Sequence, residues 1–138
     1  DLKSAFTSTI DVLDLQGNIL ISGKFPIFSN KWIVTNQAGE ELGFLRARFS
    51  FFTKKYEYTA HNRGIYRVES EPFSKTYEIF TEKGKRVGQF KKVNSIFSTP
   101  AFEMSQEKQD IEIGEMIAVV MGVNAIQKRS HSAANSTV

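Results

Sequence analysis

Cysteine is absent from the 138 residues of this chain. That excludes disulfides, thiolate metal sites and a cysteine nucleophile, and it leaves the fold indifferent to redox compartment. Only two histidines occur, His61 and His131, so a histidine-rich metal site is excluded as well. A long hydrophobic run is also missing. The longest apolar-dominated stretch is 116–126, with Gly122 and Asn124 inside it. A bilayer span needs roughly 20 residues, so this stretch is expected to be a buried helix. Residues 1–8 show no basic start followed by an apolar run, which predicts no secretion signal. The expected setting is cytoplasmic, with any membrane met at its surface. Charge of one sign is scarce too: 18 basic and 15 acidic residues leave +3. That is too little for a charge-driven nucleic-acid binder.

Phenylalanine is what the chain has in quantity, with twelve against one tryptophan. A chain of this length is one ordinary domain that can bury its own core. Most of it reads as strands, because runs rich in Ile, Val, Phe, Tyr and Thr recur between glycine-bearing turns. The turn glycines are Gly17, Gly39, Gly64 and Gly84, spaced 22, 25 and 20 residues apart. Each follows polar residues, as a hairpin turn with a positive-φ glycine requires.

The turns belong to a longer pattern. Residues 32–52 match residues 77–97 at an offset of 45. Trp32 meets Tyr77, Val34 meets Ile79, Gly39 meets Gly84 and Gly43 meets Gly88. Leu45 meets Phe90, Arg46 meets Lys91 and Phe52 meets Phe97. With small gaps the match extends backwards, giving two repeats of about 46 residues, near 10–56 and 57–102. Each should hold four strands. Two such units are too few for a solenoid and are expected to close into a barrel or sandwich, which removes exposed strand edges. In 45–49 the apolar residues Leu45, Ala47 and Phe49 alternate with Arg46 and Arg48, which predicts one buried and one solvent face.

After residue 102 the texture changes. Residues 103–115 carry five acids and one lysine, and an apolar segment follows. Glu112 and Glu115 near its start, with Lys128 and Arg129 near its end, suit a helix macrodipole over about 114–127. Apolar residues fall on every side of this helix, so it is expected to be surrounded by strands. Residues 130–138 are small and polar and are expected to be a peripheral tail beyond a single domain of 1–129.

The hairpins at 10–18, 39–46 and 84–88, with the late apolar helix, resemble the tubby C-terminal-like superfamily. The small LURP-one-related type, which also occurs in bacteria, is the nearest form, and phospholipid scramblases are further members. The resemblance covers about 6–127. It implies an all-β fold: a closed antiparallel barrel of about 9–12 short strands around a hydrophobic C-terminal helix. It also implies a link to lipids, since tubby domains bind phosphoinositide headgroups and scramblases act on lipids.

No catalytic constellation is apparent. His61 lies in a polar turn, where a histidine is ordinarily solvated, and Asp14, Glu40, Glu41 and Glu82 flank hairpin turns. The glycine pairs belong to hairpins, whereas phosphate loops open helices. The chain is therefore expected not to be an enzyme and to need no metal or cofactor. Two basic clusters stand out: Arg46, Arg48, Lys54 and Lys55 in a stretch free of acids, and Lys83, Lys85, Arg86, Lys91 and Lys92. The expected site is an anion- or lipid-binding surface using Arg46, Arg48, Lys54, Lys55, Lys91 and Lys92, with aromatics such as Phe44, Phe51 or Phe52 nearby. Three readings stay open: a binding domain for anionic phospholipid or phosphoinositide, a protein-interaction or structural module, and a weak binder of single-stranded nucleic acid. An exposed apolar patch near Phe44 or Phe73 would favour the second.

Overall fold

A computed structural model of the chain describes residues 9–26, 29–51, 53–71, 74–92, 102–106 and 111–136, the side chains of 102–106 and 131–136 excepted. The described residues are mostly antiparallel β-structure with one C-terminal helix. The strands are β1 (Thr9–Leu13), β2 (Ile19–Lys24), β3 (Trp32–Asn36), β4 (Glu41–Arg48), β5 (Lys54–Ala60), β6 (Gly64–Ser70), β7 (Thr76–Thr81), β8 (Arg86–Lys92) and β9 (Phe102–Gln106). The helix, α1, is Ile113–Ser136. The chain divides into two compact units. One runs up to Arg46 and includes α1 from Gly114; the other is residues 47–113.

The first unit is a meander of β1 to β4 with α1. Among the described residues three glycine turns share one geometry, two of them in this unit. At 14–18 the Asp14 N–H donates to the Asn18 carbonyl (2.9 Å) and the Gly17 N–H donates to the Asp14 carbonyl (3.1 Å). At 36–40 the Asn36 N–H donates to the Glu40 carbonyl (2.9 Å) and the Gly39 N–H donates to the Asn36 carbonyl (3.0 Å). The first side chain caps each turn: Asp14 Oδ1 accepts from the Gln16 and Asn18 N–H groups, and Asn36 Oδ1 from those of Ala38 and Glu40. Gly17 and Gly39 take φ of 85° and 83°, which a side chain would resist.

The core of this unit is Ile21, Phe25, Trp32, Val34 and Leu45, set against α1. Trp32 is fully buried, and its Nε1–H donates to the Ala118 carbonyl at 3.1 Å. Phe25 meets its indole edge-on at 5.1 Å. Burial runs right round the helix. Ala118, Val119 and Val120 are consecutive and buried, as are Val123, Asn124 and Ala125, and nothing from Glu115 to Ile126 is exposed. Consecutive helical residues point about 100° apart, so such runs leave no solvent face. The expectation of an all-round apolar, buried helix is met on this point.

The helix is longer than 114–127. Residues 130–136 contain no glycine or proline to stop it, and it runs through Ser136. Lys128 and Arg129 therefore lie inside it rather than at its C-terminal end. Arg129 ties the helix to the connection between β2 and β3. Its Nη1 donates to the Ser29 carbonyl at 2.6 Å, and its guanidinium lies 4.5 Å from the Phe25 ring centre.

The second unit is the meander β5 to β9. Tyr56, Tyr58, Tyr66, Val68, Tyr77, Ile79 and Phe90 point to the buried face. Tyr77 and Phe90 stack at 4.9 Å with an interplanar angle of 5°. Its turn at 81–85 has the geometry described above: the Thr81 N–H donates to the Lys85 carbonyl (2.8 Å), and the Gly84 N–H, with φ at 84°, donates to the Thr81 carbonyl (2.9 Å).

Strand registers recur along the chain. In β3 with β4, Trp32 faces Leu45, Val34 faces Gly43, and a bulge falls between Val34 and Thr35. In β7 with β8, Tyr77 faces Phe90, Ile79 faces Gly88, and a bulge falls between Ile79 and Phe80. Likewise Ile21 faces Asn36 and Gly23 faces Val34, while Tyr66 faces Thr81 and Val68 faces Ile79. Every one of these positions is displaced by 45.

Candidate anion-binding surface

The basic side chains named above fall on strand faces and strand ends. In the first unit, Arg46 is half-buried, with its Nε out of contact with solvent. Phe44, two residues earlier, is half-buried and has Lys31 Nζ 4.5 Å above its ring. In the second unit the outward face of β5 and β6 is a ladder of opposite charges. Lys55 Nζ is 3.7 Å from Glu69, Arg67 is 2.7 Å from the same carboxylate, and Arg48 Nε is 3.9 Å from Glu57. Such pairs, half-buried and still in contact with water, contribute about 0–1 kcal/mol each and mainly keep a strand face soluble. Arg86 is similarly paired with Glu78 at 3.2 Å.

One end of this meander is different. In antiparallel succession, the start of β5, the end of β6, the start of β7 and the end of β8 lie side by side. Lys54 opens β5; its Nζ donates to the Ser74 carbonyl and the Tyr77 hydroxyl, each at 3.4 Å, and sits 5.5 Å from the Tyr77 ring centre. The Lys92 N–H donates to the Lys75 carbonyl at 2.9 Å, and Lys91 faces Thr76. Lys54, Lys75, Lys91 and Lys92 thus lie at one end of the sheet, Lys91 on the face of Thr76 and Lys54 on the opposite face with Tyr77, and Lys75 and Lys91 are exposed. The acids there are Glu71, which is exposed, Glu69, which holds Lys55 and Arg67, and Glu103 of β9, which stands opposite Lys91 in the pairing of β8 with β9. Lys75 is inconspicuous in the sequence, because it stands alone between Ser74 and Thr76 and only the pairing of β7 with β8 brings it to the others. Lys83 and Lys85 are exposed at the opposite, 81–85 end.

Phe49 was expected to continue the buried parity of β4. The strand instead stops at Arg48, and Ala47 and Phe49 are exposed. Phe52, Phe73, Phe97 and the side chain of His131 lie outside the described residues. His61 is exposed in its turn.

The family model for LURP-one-related proteins matches residues 2–123. The chain belongs to that family. No curated protein and no solved structure matches it. The match ends within α1, at the residue after Gly122, so it takes in the nine described strands and the part of the helix that carries the buried Glu115, Met116, Ala118, Val119, Val120 and Val123. Among the described residues of this LURP-one-related chain, no helix is long and apolar enough to cross a membrane, and no three His, Asp or Glu side chains converge as metal ligands would.

Proposed function

We propose that this LURP-one-related domain is a non-catalytic binding module for anionic phospholipid, phosphoinositide headgroups included, acting at the cytoplasmic face of a membrane. The observation that carries this reading is the basic corner of Lys54, Lys75, Lys91 and Lys92 at one end of the β5 to β8 meander. Cations placed near an anionic leaflet contribute about 1 kcal/mol each. Several at one end of the sheet amount to a useful affinity without any deep pocket. The elsewhere balanced ion pairs, such as Arg86 with Glu78, make the corner the favoured contact rather than the whole basic complement.

Vesicle sedimentation tests the proposal. Lys75→Glu combined with Lys91→Glu should weaken binding to phosphatidylserine-containing vesicles about tenfold or more. Equal binding by the variant and the parent chain would refute it. A second reading, docking to another protein, draws on a separate observation: Leu13, Leu15, Ile19 and Leu20 are all exposed around the 14–18 turn, with Leu15 fully so. Pull-down by that hairpin, abolished by Leu15→Ser and indifferent to lipid, would favour it.

The reading also takes the fold to be a tubby-like closed barrel of two duplicated four-stranded units around the helix. Burial on every side of α1 supports closure. The recurrence of register at an offset of 45, in β2 with β3 and β6 with β7 as well as in β3 with β4 and β7 with β8, supports duplication.

A further inference from the structure

The connection from β4 to β5 leaves two aromatic rings in water. Phe49 and Phe51 are each 82% exposed. They meet edge to face, ring centres 4.9 Å apart. Among the other phenylalanines with described side chains, Phe25 and Phe90 are buried, at 2% and 0% exposure, and Phe44 and Phe80 are half-buried. The two rings are presented by a short, self-bonded turn. The Ser50 and Thr53 hydroxyls are 2.9 Å apart, and the Thr53 N–H donates to Ser50 Oγ at 3.4 Å. The turn keeps its polar groups to itself and offers its apolar ones outward.

The surroundings of this pair are basic. Arg48 precedes it, Lys54 and Lys55 follow it, and no acid occurs from residue 45 to residue 55. The turn also feeds into the start of β5, which is the end of the meander where Lys75, Lys91 and Lys92 gather. Apolar rings flanked along the chain by lysine and arginine match one chemistry well: the boundary of an anionic bilayer, where aromatics settle below the headgroups and cations remain among them. The exposed leucines at 14–18 have the opposite setting, with Asp11 and Asp14 beside them, and do not suit an anionic surface.

We infer that Phe49 and Phe51 form an apolar wedge that enters the headgroup–acyl boundary of an anionic bilayer, with the basic corner held at the lipid phosphates. This rests on the lipid reading above and adds to it an insertion element and an orientation: the end of the second unit that carries the start of β5 faces the membrane. Interfacial binding from apolar and polybasic contributions together is stronger than from either alone.

The absence of cysteine makes the test clean. Phe51→Cys carries an environment-sensitive fluorophore, and Leu15→Cys carries the same label as a control. Each is mixed with vesicles of equal parts phosphatidylcholine and phosphatidylserine, with and without brominated acyl chains. The label at 51 should shift to the blue and be quenched by bromine, and the label at 15 should do neither. Phe49→Ser with Phe51→Ser should lower sedimentation with these vesicles about tenfold, with unfolding unchanged. Sedimentation with a label at 51 that stays in water overturns the wedge and leaves the headgroup reading standing. No sedimentation overturns both. A blue shift at 51 that grows with protein concentration and needs no vesicle overturns the wedge in favour of contact between two copies.

Discussion

Trp32 fills the space into which a side chain at Gly122 would project. A Cβ on Gly122 would lie 2.7 Å from Trp32 Nε1 and 2.9 Å from Leu45 Cδ2. On the other side the same indole presses on Gly23 of β2, where an added Cβ would lie 2.5 Å from Trp32 Cε2. The single tryptophan is thus clasped between a strand glycine and a helix glycine, and its N–H holds the helix at Ala118.

Gly122→Ala should therefore destabilise the chain by about 1–3 kcal/mol through overpacking. In an open helix the same change would stabilise by about 1 kcal/mol. The sign of the change in urea denaturation decides whether the close approach governs.

Trp32→Phe should cost about 2 kcal/mol, from a lost hydrogen bond and a smaller ring. The double variant with Gly122→Ala should cost less than the two single changes added, because the smaller ring makes room for the methyl group. Strict additivity in a double-mutant cycle would mean that the two residues do not compete for one space.

Gly39→Ala and Gly84→Ala should each cost about 1–2 kcal/mol, and by similar amounts. Both glycines have φ near 84°, and a Cβ at either would meet nothing within 4 Å, so the cost comes from backbone conformation alone. Thermal unfolding of the two variants provides the comparison. A large cost at one and none at the other would separate two turns whose flanking strand registers recur at an offset of 45.

The Asp14 carboxylate accepts N–H bonds from Asn18 and Gln16, and the Asn18 backbone bond is the foremost cause holding it below the usual carboxylate range. The folded turn favours the charged form. Its contribution is present above the unfolded pKa and is lost as pH falls through the lower, folded one. Titration of the Asp14 carboxyl carbon by NMR should show a midpoint below that of a peptide spanning 9–24. An equal or higher midpoint would remove the cap.

Much of this was legible from residue order. Glycines after polar residues marked the turns, and alternation with Arg46 marked the buried side of Leu45, because a strand face repeats every second residue. Apolar residues all round 116–126 marked a surrounded helix. What escaped depended on where elements stop or meet. Parity continued past Arg48 in the sequence, but the Ser50 and Thr53 hydroxyls close a turn there, and Phe49 comes out into water. The helix end was placed too early because bases at 128 and 129 looked like a terminus, whereas Arg129 is bonded to Ser29. Lys75 joins the basic corner only through β-pairing that no local pattern discloses.

The central claim is that this LURP-one-related domain binds anionic lipid through the basic end of its second unit. The most direct measurement is the partition of the unmodified chain onto phosphatidylcholine vesicles as the phosphatidylserine fraction is raised, repeated at low and high salt. The predicted result is binding that grows steeply with phosphatidylserine and falls as salt shortens the Debye length from about 10 Å towards 3 Å. Binding that is absent, or the same on neutral and anionic vesicles, would contradict the account.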